Sequence, residues 1–453
     1  MHLHDSSLQV LTQACVRYAI DRMRLDPPPL DGPRTAGELQ AMAGRTVTAH
    51  GIGGLEALRI FGDVLAPACI SVDHPRFLSF VPAAPTEAAI LFDLVVGASS
   101  IYGGSWMEGA GAIHAENEAL RWLADLAGFP AGAGGVFVSG GTAGNLSALI
   151  AARWAWRHRA AGAHDRTRGL MIASQGAHSS VAQAARAMDA DVLLVPADEV
   201  GRMRGDDLRA VVAGMPADDL ARLFAIVATS GTTNAGIVDD LDGTADVCER
   251  LGVWLHVDGA YGAAALAAPS ARPLFAGIER ADSFIIDPHK WLFAPFDCCA
   301  LVYREPQLAK AAHSQQAEYL DVLQHDEWNA SDYAHHLSRR ARGLPLWFSL
   351  ATYGTDAYQA AVETTLEVAH AGAELIRASD HCELVLDPQL SVVVFRRLGW
   401  TAAQYRSWSD AQLERQTCFV VPTSWKGETV LRYCVVNPLT TLDDLAMIIE
   451  SLR

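Results

Sequence analysis

Lysine is nearly absent from this 453-residue chain: Lys290, Lys310 and Lys426 stand against 32 arginines. Any chemistry that needs a side-chain primary amine therefore has three candidates. Positive charge is scarce overall, since 52 acidic residues give a formal net charge of −17 at pH 7. Such a surface is ill suited to tracking a phosphate backbone, and no nucleic-acid partner is expected. The eight cysteines (Cys15, Cys69, Cys248, Cys298, Cys299, Cys382, Cys418, Cys434) include no CxxC pair and no regular spacing. That excludes a disulfide framework and implies mostly buried thiols in a reducing compartment. Long apolar runs are missing too. The most apolar window, Ala88 to Ile101, is broken by Asp93 and falls short of the ~20 residues that span a bilayer. The first thirty residues, with Asp5, Arg17, Asp21, Arg22 and Arg24, lack the pattern of a signal peptide. A soluble, cytoplasmic protein with no membrane partner is expected. No HExxH or spaced ligand set accompanies His2, His4, His335 and His336, so no metal is expected either.

What is present is a large core, because hydrophobic residues make up 50% and charged ones only 19%. Residues 6–25 alternate at helical spacing until Asp26-Pro27-Pro28-Pro29 stops them, and a second helical stretch covers Gly54–Leu65. Residues 1–73 thus form a helical arm with too little apolar surface for a core of its own. From 74 to 345 short apolar strands alternate with helical segments: Gly135–Val138, Gly169–Ala173, Val192–Val195, Leu223–Ala228, Val253–Val257, Ser283–Ile286 and Ala300–Tyr303. The pattern predicts an α/β domain around a parallel or mixed sheet covered on both faces. Residues 346–453 read as a smaller α+β domain, with a helix over Ala357–Ala378, strands Cys382–Leu386 and Val392–Arg396, and a last helix from Leu442.

Four motifs carry chemistry. Gly135-Val-Phe-Val-Ser-Gly-Gly-Thr-Ala-Gly-Asn145 is a strand, a glycine turn and a helix start, whose free N–H groups can cradle a phosphate; a plain tight turn has the same look. Leu255-His-Val-Asp258-Gly-Ala-Tyr-Gly262 sets a carboxylate at a strand end, where α/β sheets bind ligands, although an Asp there can also cap the next helix. Asp287-Pro-His-Lys290-Trp ends another strand in a lysine whose desolvated amine suits Schiff-base chemistry, a snorkelling lysine being the alternative. Ala177-His178-Ser-Ser-Val opens a helix with an imidazole that can stack on a planar ring or simply cap the helix. Lys290 lies 32 residues beyond Asp258, with the cradle and His178 upstream of both. Jointly they describe a pyridoxal phosphate site: an amine for the aldehyde, a carboxylate for the ring nitrogen and a helix N-terminus for the phosphate.

The sequence resembles the group II pyridoxal phosphate-dependent amino acid decarboxylases, the family of the aromatic L-amino acid, histidine and glutamate decarboxylases. The resemblance rests on His74-Pro-Arg-Phe, Ser139-Gly-Gly-Thr-Ala-Gly-Asn, Ala177-His-Ser-Ser-Val, Gly231-Thr-Thr, Trp254-Leu-His-Val-Asp-Gly-Ala-Tyr, Ala281-Asp-Ser-Phe and Asp287-Pro-His-Lys-Trp-Leu through Phe296-Asp-Cys, over nearly the whole chain. It implies a fold-type-I enzyme with a mixed, mostly parallel seven-stranded sheet. It also implies a homodimer with shared active sites, over which the arm wraps. Carried over residue by residue, Lys290 is the Schiff-base lysine, Asp258 the pyridinium partner, Ala260 the small residue under the ring and His178 the stacking imidazole. Gly141, Thr142 and His289 would hold the phosphate, Thr233 would line the site, and Tyr319 would protonate the α-carbon.

The resemblance implies release of carbon dioxide from an L-amino acid, aromatic first and medium aliphatic second, to leave an amine. Phe80, Val81, Pro82, Tyr102, Gly104 and Trp106 are the expected substrate pocket, with Gly104 where an aromatic ring commonly stands. Asp287 replaces a common asparagine and is expected to face water or an arginine. Rival readings are an aldehyde synthase or a transaminase on the same scaffold, and a catalytically silent cofactor-binding protein; the retention of Lys290, Asp258, His178 and Tyr319 favours simple decarboxylation.

Overall fold

All seven apolar runs form strands whose limits lie within one residue of the sequence expectation. In this computed structural model, which describes residues 6–159, 167–315 and 327–453, they are β1 (Gly134–Val138), β2 (Leu170–Ser174), β3 (Asp191–Val195), β4 (Leu223–Thr229), β5 (Trp254–Asp258), β6 (Ser283–Ile286) and β7 (Cys299–Tyr303). They build one sheet in the order β1-β7-β6-β5-β4-β2-β3. Only β7 runs antiparallel to its neighbours, β1 and β6; the other pairings are parallel. Strands β2, β4, β5, β6 and β7 are buried along their whole length, as a sheet covered by helices on both faces requires. The register Thr229↔Asp258 aligns the carboxyl ends of β4 and β5, and β6 ends beside them at Ile286, just before Asp287.

A second, antiparallel sheet follows in the order β10-β11-β9-β8, from β8 (Cys382–Leu384), β9 (Val392–Arg397), β10 (Pro422–Trp425) and β11 (Glu428–Cys434). The β10–β11 hairpin and a helix over Ala402–Glu414 extend the two strands and two helices expected here. The hairpin turns through Lys426 and Gly427, both at positive φ (49° and 84°), the geometry a two-residue connection demands. Helices Thr355–Ala378 and Leu442–Glu450 share an apolar core with this sheet, built from residues such as Ile376, Phe395, Leu431 and Ile448.

At the N-terminal end, helices Ser6–Met23 and Ala36–Ala43 contain no buried residue. Arg22 ties the first of them to Asp73 at 2.8 Å. Among the described residues, no helix is long and apolar enough to cross a membrane.

One fully buried ion pair locks the helix Trp106–Leu126 to the segment that follows residue 327. Arg339 donates to both carboxylate oxygens of Glu116, at 2.7 and 2.8 Å, and also to the carbonyls of Gly103 and Phe137. Glu116 in turn accepts the Gly343 N–H at 2.8 Å. Removing one member strands a charge in the interior, which costs about 3–5 kcal/mol. Glu116→Ala is therefore expected to lower the unfolding free energy by about that amount, read as a fall in the urea midpoint at fixed cofactor concentration.

Candidate active site

The carboxyl ends of β4, β5 and β6 and the N-terminus of the helix Gly141–Arg159 surround a cavity of about 580 Å³. Gly141, Thr142, His178, Thr233, Asp258, Ala260, His289 and Lys290 all line it. The strand–glycine–helix turn brings Gly141 so close that a Cβ there would stand 3.1 Å from the Ala260 Cβ and 3.3 Å from Asp287 Oδ2. A helix start leaves its first N–H groups without intrahelical acceptors, and Gly141 and Thr142 at this one line the cavity.

Asp258 is held by a directed chain of hydrogen bonds. The Trp254 indole can only donate, and it donates to Ser283 Oγ at 2.8 Å. Ser283 Oγ then donates to His256 Nδ1 at 2.8 Å, which leaves the proton on Nε2 to reach Asn145 Oδ1, also at 2.8 Å. Asn145 is thereby oriented so that its amide donates to Asp258 Oδ2 at 2.8 Å and to Ser180 Oγ at 2.9 Å. Burial pushes the His256 pKa down to about 4, consistent with the neutral tautomer that this chain requires. Ser180 Oγ continues to His178 Nδ1 at 2.9 Å, and that nitrogen also accepts the Ser180 N–H. His178 is thus both the cap of the helix Ser179–Ala187 and a wall of the cavity, so the two sequence readings of it are compatible.

Lys290 and Asp287 form a contact that the sequence reading did not foresee. Asp287 was expected to face water or an arginine; instead it is 2% exposed and its Oδ2 lies 2.9 Å from Lys290 Nζ. The short turn from β6 brings this about, because the Lys290 N–H bonds back to the Asp287 carbonyl at 2.9 Å and folds the two side chains onto the same side. Burial disfavours the Lys290 ammonium, but the Asp287 carboxylate, with Asp258 behind it, more than offsets this and raises its pKa above the usual lysine value. His289 sits 3.7 Å from the same carboxylate oxygen, and burial lowers its pKa. Its Nδ1 donates to the Cys298 carbonyl at 2.6 Å.

The six expected pocket residues do not line this cavity within the chain. Residues 102–106 are drawn away by the segment after 327: Tyr102 Oη donates to the Leu337 carbonyl at 3.0 Å, Ser331 N–H donates to the Gly104 carbonyl, and the Trp106 N–H donates to Asn329 Oδ1. A Cβ at Gly104 would lie 2.4 Å from Tyr102 Oη, so the space of the missing ring is filled by the neighbouring tyrosine. Phe80 is 60% exposed and Pro82 is buried. Tyr319 lies outside the described residues.

Two groups near the cavity escaped the sequence reading. Asn145 closes the quoted glycine motif but was given no task there. Arg432, buried in the apolar strand β11, donates to the carbonyls of Phe80 (2.6 Å) and Thr233 (2.6 Å), so it joins the Phe80 segment to the cavity wall. An arginine inside Val430-Leu-Arg-Tyr-Cys434 was the available signal.

The donor set fits pyridoxal phosphate: a half-buried primary amine, a buried carboxylate oriented from behind, and a glycine-opened helix N-terminus share one cavity. Fold and site thus define an α/β enzyme of the pyridoxal phosphate class. A family model described as the pyridoxal-dependent decarboxylase conserved domain matches residues 54–398. The chain is 29% identical to an aromatic-L-amino-acid decarboxylase of Bacillus atrophaeus over 100% of this chain and 96% of that protein. It is 32% identical to the aromatic-L-amino-acid decarboxylase of Cavia porcellus, over 87% and 86% of the two chains. Among solved structures, an Oryza sativa TDC with PLP and tryptamine aligns with a TM-score of 0.91 at 25% identity, covering 100% of this chain and 98% of the other. A Rhodiola rosea 4-hydroxyphenylacetaldehyde synthase shares the fold, with a TM-score of 0.89 at 21% identity over 99% and 98% of the chains. The chain belongs to the pyridoxal-dependent decarboxylase family, as a carboxy-lyase whose cofactor is pyridoxal phosphate.

Asn145→Leu should leave the fold intact yet break the chain to Asp258. We expect weaker binding of pyridoxal phosphate, by about ten- to a hundredfold for the loss of a charge-assisted bond worth roughly 1.5–3 kcal/mol, measured by titrating the cofactor-free protein.

Proposed function

We propose that this decarboxylase acts on an aromatic L-amino acid, with a medium aliphatic one as second choice, and releases the amine and carbon dioxide. The observation that carries the reading is the convergence of Lys290, Asp258 and the Gly141 helix start on one cavity. Bound there, pyridoxal phosphate supplies an electron sink for the pair left behind when carbon dioxide departs. Lys290 is the residue that engages the aldehyde. Asp258, fixed by Asn145, keeps the ring nitrogen protonated through opposite charge. Gly141, Thr142 and His289 hold the phosphate, and Thr233 lines the site. His178 covers one face of the ring; its Nδ1 is occupied by Ser180, which fixes the plane of the imidazole. Ala260 leaves the opposite face free of bulk. Tyr319 delivers the proton to the α-carbon and so decides between amine and aldehyde. The aromatic preference is supported by the relatives at 29–34% identity, which are described as aromatic-L-amino-acid decarboxylases.

The enzyme is further proposed to be a homodimer with residues 1–73 as a dimer-wrapping arm, 74–345 as the cofactor domain and 346–453 as the small domain. The arm's fully unburied helices support this, as do the exposed Leu91, Leu94 and Val95 on the helix Glu87–Ser99. Tyr102, Gly104 and Trp106, turned from their own cavity, would then serve the second copy's site. Sedimentation should give a dimer that deletion of residues 1–50 weakens at least tenfold; an unchanged dimer would remove the arm from the interface.

The direct test supplies the purified protein and cofactor with pooled L-amino acids and identifies products by mass spectrometry. Loss of one amino acid and gain of its amine is expected. Lys290→Ala should abolish both turnover and the borohydride-trapped bond to the cofactor. An aldehyde in place of the amine would transfer the enzyme to the synthase reading and overturn the role of Tyr319.

A further inference from the structure

Asp287 is the feature of the cavity that the proposed chemistry leaves unused. It is buried, and apart from the 2.9 Å contact with Lys290 its nearest basic neighbour is the His289 imidazole at 3.7 Å, which burial disfavours as a cation. Its second oxygen, Oδ1, has no hydrogen-bond partner among the described residues, while the Cys299 thiol lies against the carboxylate. A buried carboxylate with one oxygen unmatched is costly unless an opposite charge sits beside it, and the ammonium of Lys290 is that charge. The same carboxylate stands 3.3 Å from where a Cβ of Gly141 would be, so it borders the helix start that suits a phosphate. The two demands conflict, because a dianion arriving at Gly141 meets a carboxylate of like sign. Engagement of Lys290 by an aldehyde also takes that carboxylate's partner away.

We propose that Asp287 is the counter-ion of free Lys290 and competes with the phosphate cofactor, so that it sets how tightly this chain holds pyridoxal phosphate. The inference rests on Lys290 being the residue that engages the aldehyde. Without cofactor the Lys290–Asp287 pair closes the charge balance of the cavity. With cofactor, the pair is broken and Asp287 raises the free energy of the bound state. The other titratable groups facing Lys290 are Asp258 from β5 and the Cys299 thiol from β7, with His289 on its own turn; none of them combines direct contact with a bordering position at Gly141.

The test titrates cofactor-free wild type and Asp287→Asn by calorimetry. The probes are pyridoxal 5'-phosphate and 4'-deoxypyridoxine 5'-phosphate, which has the ring and the phosphate but no aldehyde. A like charge within ~4–6 Å shifts an ionic equilibrium by about one to three powers of ten, so the variant should bind both probes about tenfold tighter. Equal or weaker binding of the aldehyde-free probe would overturn the proposal. That probe forms no bond to lysine, so its result is independent of which lysine engages the aldehyde. Borohydride trapping followed by peptide mapping decides the latter separately, and a label on Lys310 or Lys426 would overturn the Lys290 reading instead. Should the variant fail to fold, wild type itself provides the answer. With lysine at only three positions, 13C-lysine spectra of the cofactor-free protein resolve Lys290, assigned by Lys290→Ala. Its titration above the usual lysine value supports the pair, and titration below that value overturns it.

Discussion

The Asp258 carboxylate can only accept hydrogen bonds, and this one-way group sets the direction of the chain that runs from it into the core. Ser283, His256 and Asn145 each have two ways to point; with the Asp258 carboxylate at one end, a neutral His256 and the Trp254 donor at the other, only one arrangement satisfies all of them. The consequence is a carboxylate with both oxygens held, Oδ2 by the Asn145 amide and Oδ1 by the Ala260 N–H at 3.2 Å, at the wall of the cavity. The chain crosses β5, β6 and the Gly141–Arg159 helix, so the sheet's register is also the register of the site. A shift of β6 against β5 by one residue would turn Ser283 to the other face and leave the histidine without its donor.

Most of the large sheet was legible in the sequence because its strands are buried on both faces and so appear as unbroken apolar runs between glycine-rich turns. That Gly141, Asp258 and Lys290 meet at one cavity was legible for a related reason: small residues and charged ones at strand ends have few other purposes. The β10–β11 hairpin was not, since Pro422-Thr-Ser-Trp425 has no apolar alternation and its turn is Lys-Gly rather than the more recognisable Asn-Gly. The Ala402–Glu414 helix escaped for lack of a strong apolar stripe. Asp287 was misplaced because its charge was weighed against a phosphate alone. The free lysine three residues on, brought to it by the turn after β6, was the stronger partner. The placement of segment 102–106 within its own chain was not legible, because its hydrogen bonds come from residues 329–339, more than two hundred positions away, a distance over which no local pattern carries information.

On the proposed reading, a strongly acidic chain accommodates an anionic cofactor without a field of positive side chains. Among the described residues, no arginine lines the cavity at the Gly141 helix start. Partial positive charge comes from backbone N–H groups, and full charge from a single lysine whose own counter-ion is already in place. Recognition therefore depends on backbone geometry more than on net charge, which accommodates a chain at −17. Arg432 fits the same economy: its guanidinium is spent on two carbonyls, fastening the Phe80 segment to the Thr233 wall.

The Glu116–Arg339 pair acts as a key with one fitting position. A well-packed apolar pair could match its contribution to stability, but leucines would tolerate sliding, whereas a guanidinium that reaches a carboxylate and two carbonyls does not. Its four acceptor oxygens come from Glu116, Gly103 and Phe137, and the last of these lies on β1, the strand that leads into the Gly141 turn. The backbone beyond residue 327 is thereby indexed to the strand that delivers the phosphate cradle. Insertions or deletions between Asn329 and Arg339 would misalign two distant loops at once, so this stretch should tolerate changes of side chain far better than changes of length.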